Sequence, residues 1–306
     1  MSALRQALED YLTMRRTLGY KLERSELLLG QFIASLEADG ASTITIDNAL
    51  AWATSPTGSR AWWTMRLSAV RGFAAYLHTL DERCEVPPTD LLARQCGRRV
   101  PYLYSDAQLG ALLAATATIG SPLRAATYRT LIGLLAVTGM RIGEAIGADR
   151  DDLDFDRGLL LVRHGKFGKT RQLPLHVTTL AALSAYLDRP DRPRQPGREA
   201  LLVSTAGTRL LYPNVLRTFR SLVATAGIEA RSARCQPRIH DLRHTFAVQT
   251  LLDCYRTGVN VDTRLPLLST YLGHVNPKDT YWYLTGSPEL LALAGQRLQR
   301  SLGEPS

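Results

Sequence analysis

The stretch HDLRHTF, residues 240–246, places two histidines four residues apart with an aspartate and an arginine between them. On a helix, positions i, i+3 and i+4 share a face, so His240, Arg243 and His244 would be neighbours. Two chemistries compete for that face. Paired histidines four apart hold zinc in metalloproteases, where a glutamate directly after the first histidine serves as base and a third ligand completes the site. Here the following residue is Asp241, one methylene shorter, and no third ligand lies near. Arg243 would also set a permanent cation beside the metal, which Coulomb repulsion disfavours. The other chemistry pairs His240 with Arg243. An imidazole beside a guanidinium suits an anion, because the arginine fork binds two phosphate oxygens at once and keeps its charge at any working pH. A plain helix with two packed or solvated histidines is the third reading, and the rest of the chain decides among them.

Across its 306 residues the chain is 45% hydrophobic and 21% charged, a balance that fits a globular protein of one large or two ordinary domains. No apolar run approaches the ~18–20 residues of a membrane span, and the N-terminus lacks the uninterrupted apolar core of a secretory signal. We therefore expect a cytoplasmic protein with no membrane partner. Cys84, Cys96, Cys235 and Cys254 form no C-x-x-C pair and read as reduced thiols. The net charge is +9 and is unevenly placed: residues 1–100 carry 12 cations against 11 acids, residues 101–306 carry 25 against 17. A polyanion is the expected partner of the later part. Only four of the 37 cations are lysine, namely Lys21, Lys166, Lys169 and Lys278. Where arginine is the default cation, a lysine marks a position that arginine does not serve.

Helical periodicity dominates residues 1–85. Leu4, Leu8, Tyr11, Leu12 and Leu18 keep helical spacing, as do Leu27, Leu28, Phe32, Ile33 and Leu36. A short helix follows Asp47, and a longer one spans about 59–80. Its apolar face carries Leu67, Val70, Phe73 and Leu77. Its other face carries Arg60, Trp63, Arg66 and Arg71, which either lie on DNA phosphates or form a solvated side. Pro87, Pro88 and Pro101 then punctuate residues 86–103, a basic linker in which Arg98 and Arg99 are candidate DNA contacts. Ser105 with Gln108 forms a capping-box signature at the start of a second domain, 104–306. That domain is mainly helical with one antiparallel β insertion, a hairpin over 158–175 whose glycine-rich turn holds Lys166 and Lys169. Helices are predicted at 177–187, 212–226, 237–252 and 263–272, with a last one over about 288–302. The Pro/Arg-rich stretch 188–199 reads as a solvated loop.

Several polar residues of this domain fit phosphate chemistry. The apolar helix "LIGLLAV" ends at Thr138-Gly139, and Arg141 follows on a new turn; it is either a second phosphate ligand or the partner of a structural ion pair with Glu144. Two arginines and a histidine would clamp a pentavalent phosphorane. A lysine in the hairpin turn can lose a proton among other cations, whereas arginine effectively cannot; the alternative is a solvated turn. Near the C-terminus, "YLGHVNPKDTYWYL" supplies His274, Tyr281 and Tyr283. A phenol can attack phosphorus and leave a covalent phosphotyrosyl intermediate, though tyrosines around Trp282 also pack as apolar groups with polar tips.

With these residues in order, the sequence resembles the tyrosine recombinases, the phage-integrase group. Its pattern is an arginine, a hairpin lysine, His-x-x-Arg, Leu-Gly-His, and a tyrosine about nine residues later. The resemblance implies catalytic roles for Arg141, Lys166, His240, Arg243, His274 and Tyr283, the last as nucleophile. It selects Lys166 over Lys169, leaving Lys169 as a DNA contact, and Tyr283 over Tyr281. It makes Glu144 the acid that supports Arg141, and His244 structural. It also implies a helical N-terminal core-binding domain, double-stranded DNA as partner, a tetrameric synapse, and no metal or other cofactor. Sister recombinases or accessory proteins would be further partners. A type IB topoisomerase-like enzyme, or an idle DNA-binding protein, shares much of this pattern and is the alternative.

Overall fold

A computed structural model describes residues 2–92, 100–163, 170–193, 199–274, 276, 280–281, 289–293, 295 and 299. Lys166, Lys169, Tyr283, Arg98 and Arg99 lie outside the described residues, as do Cys96 and most of the predicted last helix. The chain divides into two compact units, Met1–Arg98 and Arg99–Ser306, a boundary that falls inside the Pro-rich stretch 86–103.

The first unit is helical. Helices α1 (Ala3–Thr17), α2 (Glu23–Ala38), α3 (Ile46–Thr54) and α4 (Arg60–His78) bury one core built from Leu8, Leu29, Phe32, Ile33, Leu67, Val70 and Phe73. Side-chain caps start three of them: Ser2, Thr45 and Ser59 each accept a backbone N–H of the first turn, which satisfies an otherwise orphaned donor. Two residues expected on the apolar stripes are exposed instead. Leu18 lies past the end of α1, and Leu27 points outward from α2.

Two of the three α4 arginines expected to lie on DNA phosphates or in solvent are tied into the fold instead. Arg66 is buried, its guanidinium stacks 3.6 Å over the Trp52 ring, and its Nη2 donates to the Trp52 carbonyl at 2.6 Å. That arginine closes the α3–α4 packing, and its burial keeps it from a phosphate. Arg71 is half-buried and donates to the Pro87 and Pro88 carbonyls at 2.6 and 2.8 Å, tying down the chain after α4. Only Arg60 of the three stands exposed. Helical spacing could not separate them, because the stripe next to a helix's apolar face is half-covered by its neighbours.

The second unit is mainly helical with a small antiparallel sheet. In order it contains α5 (Asp106–Ala115), α6 (Pro122–Thr138), α7 (Ile142–Gly147), β1 (Leu153–Asp154), β2 (Leu159–Val162), β3 (Arg171–Pro174), α8 (Val177–Leu187), α9 (Tyr212–Thr225), α10 (Asp241–Arg256) and α11 (Val261–Leu272). Ser105 and Gln108 form the expected capping box at α5. The sheet runs β1-β2-β3, with Leu160 opposite Leu173 and Val162 opposite Arg171. Leu160, Val162 and Leu173 face the core, so alternation places Arg171 on that same inward side. Between α8 and residue 199, Arg192 is buried rather than solvated: its Nη2 donates to the Ala200 carbonyl and Glu199 pairs with it. Cys84 and Cys235 are buried free thiols and Cys254 is half-buried. Among the described residues no helix is long and apolar enough to cross a membrane.

Candidate active site

Two glycines build the frame of the site. Gly139 ends α6 and Gly273 ends α11, both in the left-handed region at φ +60° and +69°. A Cβ on Gly139 would come 2.4 Å from Phe246 of α10, so only glycine fits that contact. The sharp reversal at Gly139 delivers Arg141 to the start of α7. The reversal at Gly273 turns the carbonyls of Leu272 and Gly273 toward the same point.

Arg243, on the first turn of α10, is 2% exposed. It donates from Nη1 to the Gly139 carbonyl at 2.9 Å, and from Nη2 to the Leu272 carbonyl at 2.7 Å and to His274 Nε2 at 2.8 Å. Arg141 reaches the same turn: Nη2 donates to the Gly273 carbonyl at 3.1 Å and Nη1 lies 3.5 Å from the Leu272 carbonyl. Two arginines more than 100 residues apart in sequence thus share one carbonyl. His274 Nδ1 lies 2.7 Å from the hydroxyl of the buried Thr280. Because Arg243 can only donate, Nε2 must accept from it, and Nδ1 carries the proton that Thr280 receives; the tautomer follows from the network. His274 here holds Arg243 in place.

Glu144 closes the set from α7. Its Oε2 accepts the backbone N–H of Arg141 at 2.8 Å and its Oε1 accepts Arg141 Nη1 at 2.9 Å. The same carboxylate takes a fork from Arg171, at 3.0 and 2.8 Å. Burial pushes the Glu144 carboxyl up, but the Arg171 and Arg141 bonds outweigh that and hold it below its ordinary range. It is therefore ionised wherever the protein is folded near neutral pH.

The helix that carries His240 starts later than periodicity predicts, at Asp241 rather than 237. The reason is a local ion pair. Arg238 grips the fully buried Asp241 through Nε and Nη2 at 2.9 and 2.8 Å, and Asp241 also accepts the Arg238 backbone N–H at 3.1 Å. This turn spends residues 238–240 outside the helix and leaves His240 at its N-cap. His240 and His244 still meet edge-to-face with ring centroids 4.9 Å apart. His244 Nε2 lies 3.9 Å from the Asp241 carboxylate. Among the described residues no group of three or more His, Cys, Asp or Glu side chains is placed to share a metal ion.

His240 opens onto a groove of about 810 Å³ that Arg141, Arg163, Arg209 and Tyr212 also line. Neighbouring atoms strip part of the ring's hydration, and the guanidiniums of Arg243, Arg238 and Arg141 repel a further proton, so its pKa is pulled down to about 4. His240 is exposed where it lines the groove, so water screens part of these charges. His240 is neutral at pH 7 and can accept a proton. Arg163 pairs with Asp152, and Arg209 with Asp149, so these two cations are anchored at the groove edge.

Of the residues expected at the site, Arg141, Glu144, His240, Arg243 and His274 are described; Arg141, Glu144, Arg243 and His274 meet at the 139–141 and 272–274 turns, and His240 lies with Arg141 along the groove. Lys166 and Tyr283 are not among the described residues. Arg171, Arg238 and Thr280 were missed. Arg171 carried a readable signal, a charge at an inward position of the hairpin; Arg238 and Thr280 carried none.

Residues 103–289 match the model of the phage integrase family. A putative integrase/recombinase of Sinorhizobium fredii is 42% identical over 98% of this chain and 98% of its own length. The chain belongs to the phage integrase family. It is a tyrosine recombinase, an enzyme of site-specific DNA recombination. The tyrosine recombinase XerC of Alcanivorax borkumensis is 32% identical over 60% of this recombinase and 58% of its own chain. Among solved structures, the integrase of the Tn1549 transposon in complex with transposon right-end DNA aligns with a TM-score of 0.64 over 96% of this chain and 98% of that one. At 19% identity the likeness is one of fold.

Proposed function

We propose that this recombinase cuts and rejoins double-stranded DNA through a 3′-phosphotyrosyl intermediate, with Arg141, Lys166, His240, Arg243, His274 and Tyr283 as its catalytic residues. The observation that carries the assignment is the convergence of Arg141 and Arg243 on the Leu272 carbonyl, beside His274 and the neutral His240. Two guanidiniums fixed by neutral backbone acceptors form a preorganised electrostatic clamp, the kind of device that stabilises charge on a transferring phosphoryl group.

In this reading the Tyr283 oxygen attacks the scissile phosphorus and the bond to the 5′-oxygen breaks. His240 takes the phenolic proton, and Lys166 protonates the departing 5′-oxygen. Arg141 and Arg243 hold the non-bridging oxygens; His274, with Nε2 accepting from Arg243, orients that guanidinium, and it bonds the phosphate itself only in the form protonated at Nε2. Attack by a 5′-hydroxyl of the partner strand then reverses the step and releases Tyr283. The phosphotyrosyl bond conserves the energy of the phosphodiester, so the reaction calls for neither a nucleotide nor a metal. The active form is a tetramer on DNA, joined where needed by sister recombinases or accessory proteins, acting in the cytoplasm on a mobile element. Residues 1–85 serve as the core-binding domain, with Arg60 a candidate DNA contact there, and Arg98, Arg99 and Lys169 further candidates. Residues 86–103 are the linker.

A DNA substrate that traps the cleaved strand tests this. Tyr283→Phe should bind DNA normally and form no covalent complex, while Tyr281→Phe and wild type form it, with or without a chelator. Covalent capture by Tyr283→Phe together with its loss in Tyr281→Phe would overturn the assignment.

A further inference from the structure

Arg171 is the inward-facing charge of β3, opposite Val162 and on the same side as Leu160 and Leu173. Its side chain is only 13% exposed. An aliphatic residue would fill that position at no desolvation cost, and a buried ion pair is poor evidence for stability, since well-packed apolar replacements often do as well or better. What an aliphatic residue cannot do is the set of bonds Arg171 makes. Its Nη1 and Nη2 fork onto both oxygens of Glu144, at 3.0 and 2.8 Å. Its Nε donates to the Tyr271 carbonyl at 2.8 Å. The guanidinium also packs on Gly273: a Cβ there would come 2.9 Å from Nη1. One planar group therefore joins the hairpin, the acid of α7 and the turn that ends α11.

We infer that Arg171 is a positioning residue for the cleavage reaction, fixing Arg141 through their shared Glu144 and fixing the 272–274 turn through the Tyr271 carbonyl. This rests on the phosphotyrosyl reading above. Arg171 completes the hold on Glu144: Arg141 engages the carboxylate through its backbone N–H and one side-chain bond, and Arg171 adds a two-point side-chain fork across both oxygens that sets the carboxylate plane. With that plane fixed, the bond to Arg141 Nη1 fixes the direction of its fork. The same residue holds the backbone whose carbonyls receive Arg141 and Arg243. Loss of Arg171 leaves every catalytic side chain present and loosens the clamp they form.

The test uses the full-length protein and single-turnover cleavage of two DNA substrates, one with the ordinary scissile phosphodiester and one with a methylphosphonate there. The methylphosphonate lacks the negative charge that the clamp exists to meet. Arg171→Ala should cleave the phosphodiester about tenfold or more slowly, with DNA affinity unchanged, because small misplacements of a charge clamp cost one to two decades. On the methylphosphonate the loss should shrink to under about threefold, because its phosphorane carries one negative oxygen fewer and draws less on the clamp. A merely structural role would slow both substrates alike. Arg171→Lys keeps the charge without the fork and should fall between, and it carries the test if the alanine variant does not fold. Equal losses on both substrates, or no loss on either, would overturn the inference while wild-type capture through Tyr283 left the reaction itself standing. Absence of capture in wild type would instead sink the underlying reaction.

Discussion

Glu144→Gln isolates the charge at the centre of the clamp while keeping its shape. In the folded protein this carboxylate is 6% exposed and accepts four bonds, one from the Arg141 backbone, one from Arg141 Nη1 and two from the Arg171 fork. Glutamine retains one acceptor oxygen. Its amide then faces donors on the other side, so two charge-assisted bonds of about 1.5–3 kcal/mol each are lost. Arg141 and Arg171 are also left without their counter-ion, with side chains 24% and 13% exposed. Together these predict a loss of about 3–5 kcal/mol, the range found when one partner of a buried pair is removed. The pH dependence supplies a second, independent signature. A carboxylate held below its ordinary range contributes stability that is complete above about pH 4.3 and is lost as the pH falls through its folded value. The gap between wild type and variant should therefore be full at pH 7 and should narrow below about pH 4. Tryptophan fluorescence follows mostly the wrong part of the chain, since three of the four tryptophans, Trp52, Trp62 and Trp63, lie in the first unit. Hydrogen exchange of peptides from α6–α7 and α10–α11 reads the second unit directly. A difference under about 0.5 kcal/mol at pH 7, or one of full size that persists at pH 3, would refute the account of Glu144 as the charged hub.

Three more outcomes follow from particular contacts. His240, pulled down to about 4, should leave kcat/KM for strand cleavage flat from pH 8 to about 5.5, since that parameter reports the free enzyme; an acid limb centred near 6.5 would show an unperturbed imidazole. Gly139→Ala should cost about 2–5 kcal/mol, combining left-handed strain with a Cβ 2.4 Å from Phe246, and hydrogen exchange of α10 would show it; a near-neutral effect would mean the α6–α10 approach is looser than described. Arg66→Ala should destabilise the first unit by about 1–3 kcal/mol, read by tryptophan fluorescence, and leave the salt dependence of DNA binding unchanged, whereas Arg60→Ala should leave stability alone and reduce that slope by about one. The reverse pattern would restore Arg66 to the DNA surface.

Much of this recombinase could be read from the chain itself. Period-3.6 apolar stripes placed the helices, because burying one face of a helix requires that spacing. Apolar strands around a glycine-rich turn placed the hairpin. The order of arginine, hairpin lysine, His-x-x-Arg, histidine and tyrosine pointed to phosphate chemistry, because few other chemistries need two arginines, two histidines and a phenol. Sequence alone also favoured an anion over zinc at HDLRHTF, through the cation at Arg243. Tertiary structure decided the rest. Whether Arg60, Arg66 or Arg71 faces water depends on what packs beside α4, and helical spacing does not contain that information. The start of α10 moved to Asp241 because the Arg238–Asp241 pair competes locally with the helix. Arg171 became part of the site only when β3 met the end of α11, 100 residues further along. Local periodicity records how each segment buries its own face; which polar groups then share a carboxylate or a carbonyl is settled by contacts between segments far apart in the chain.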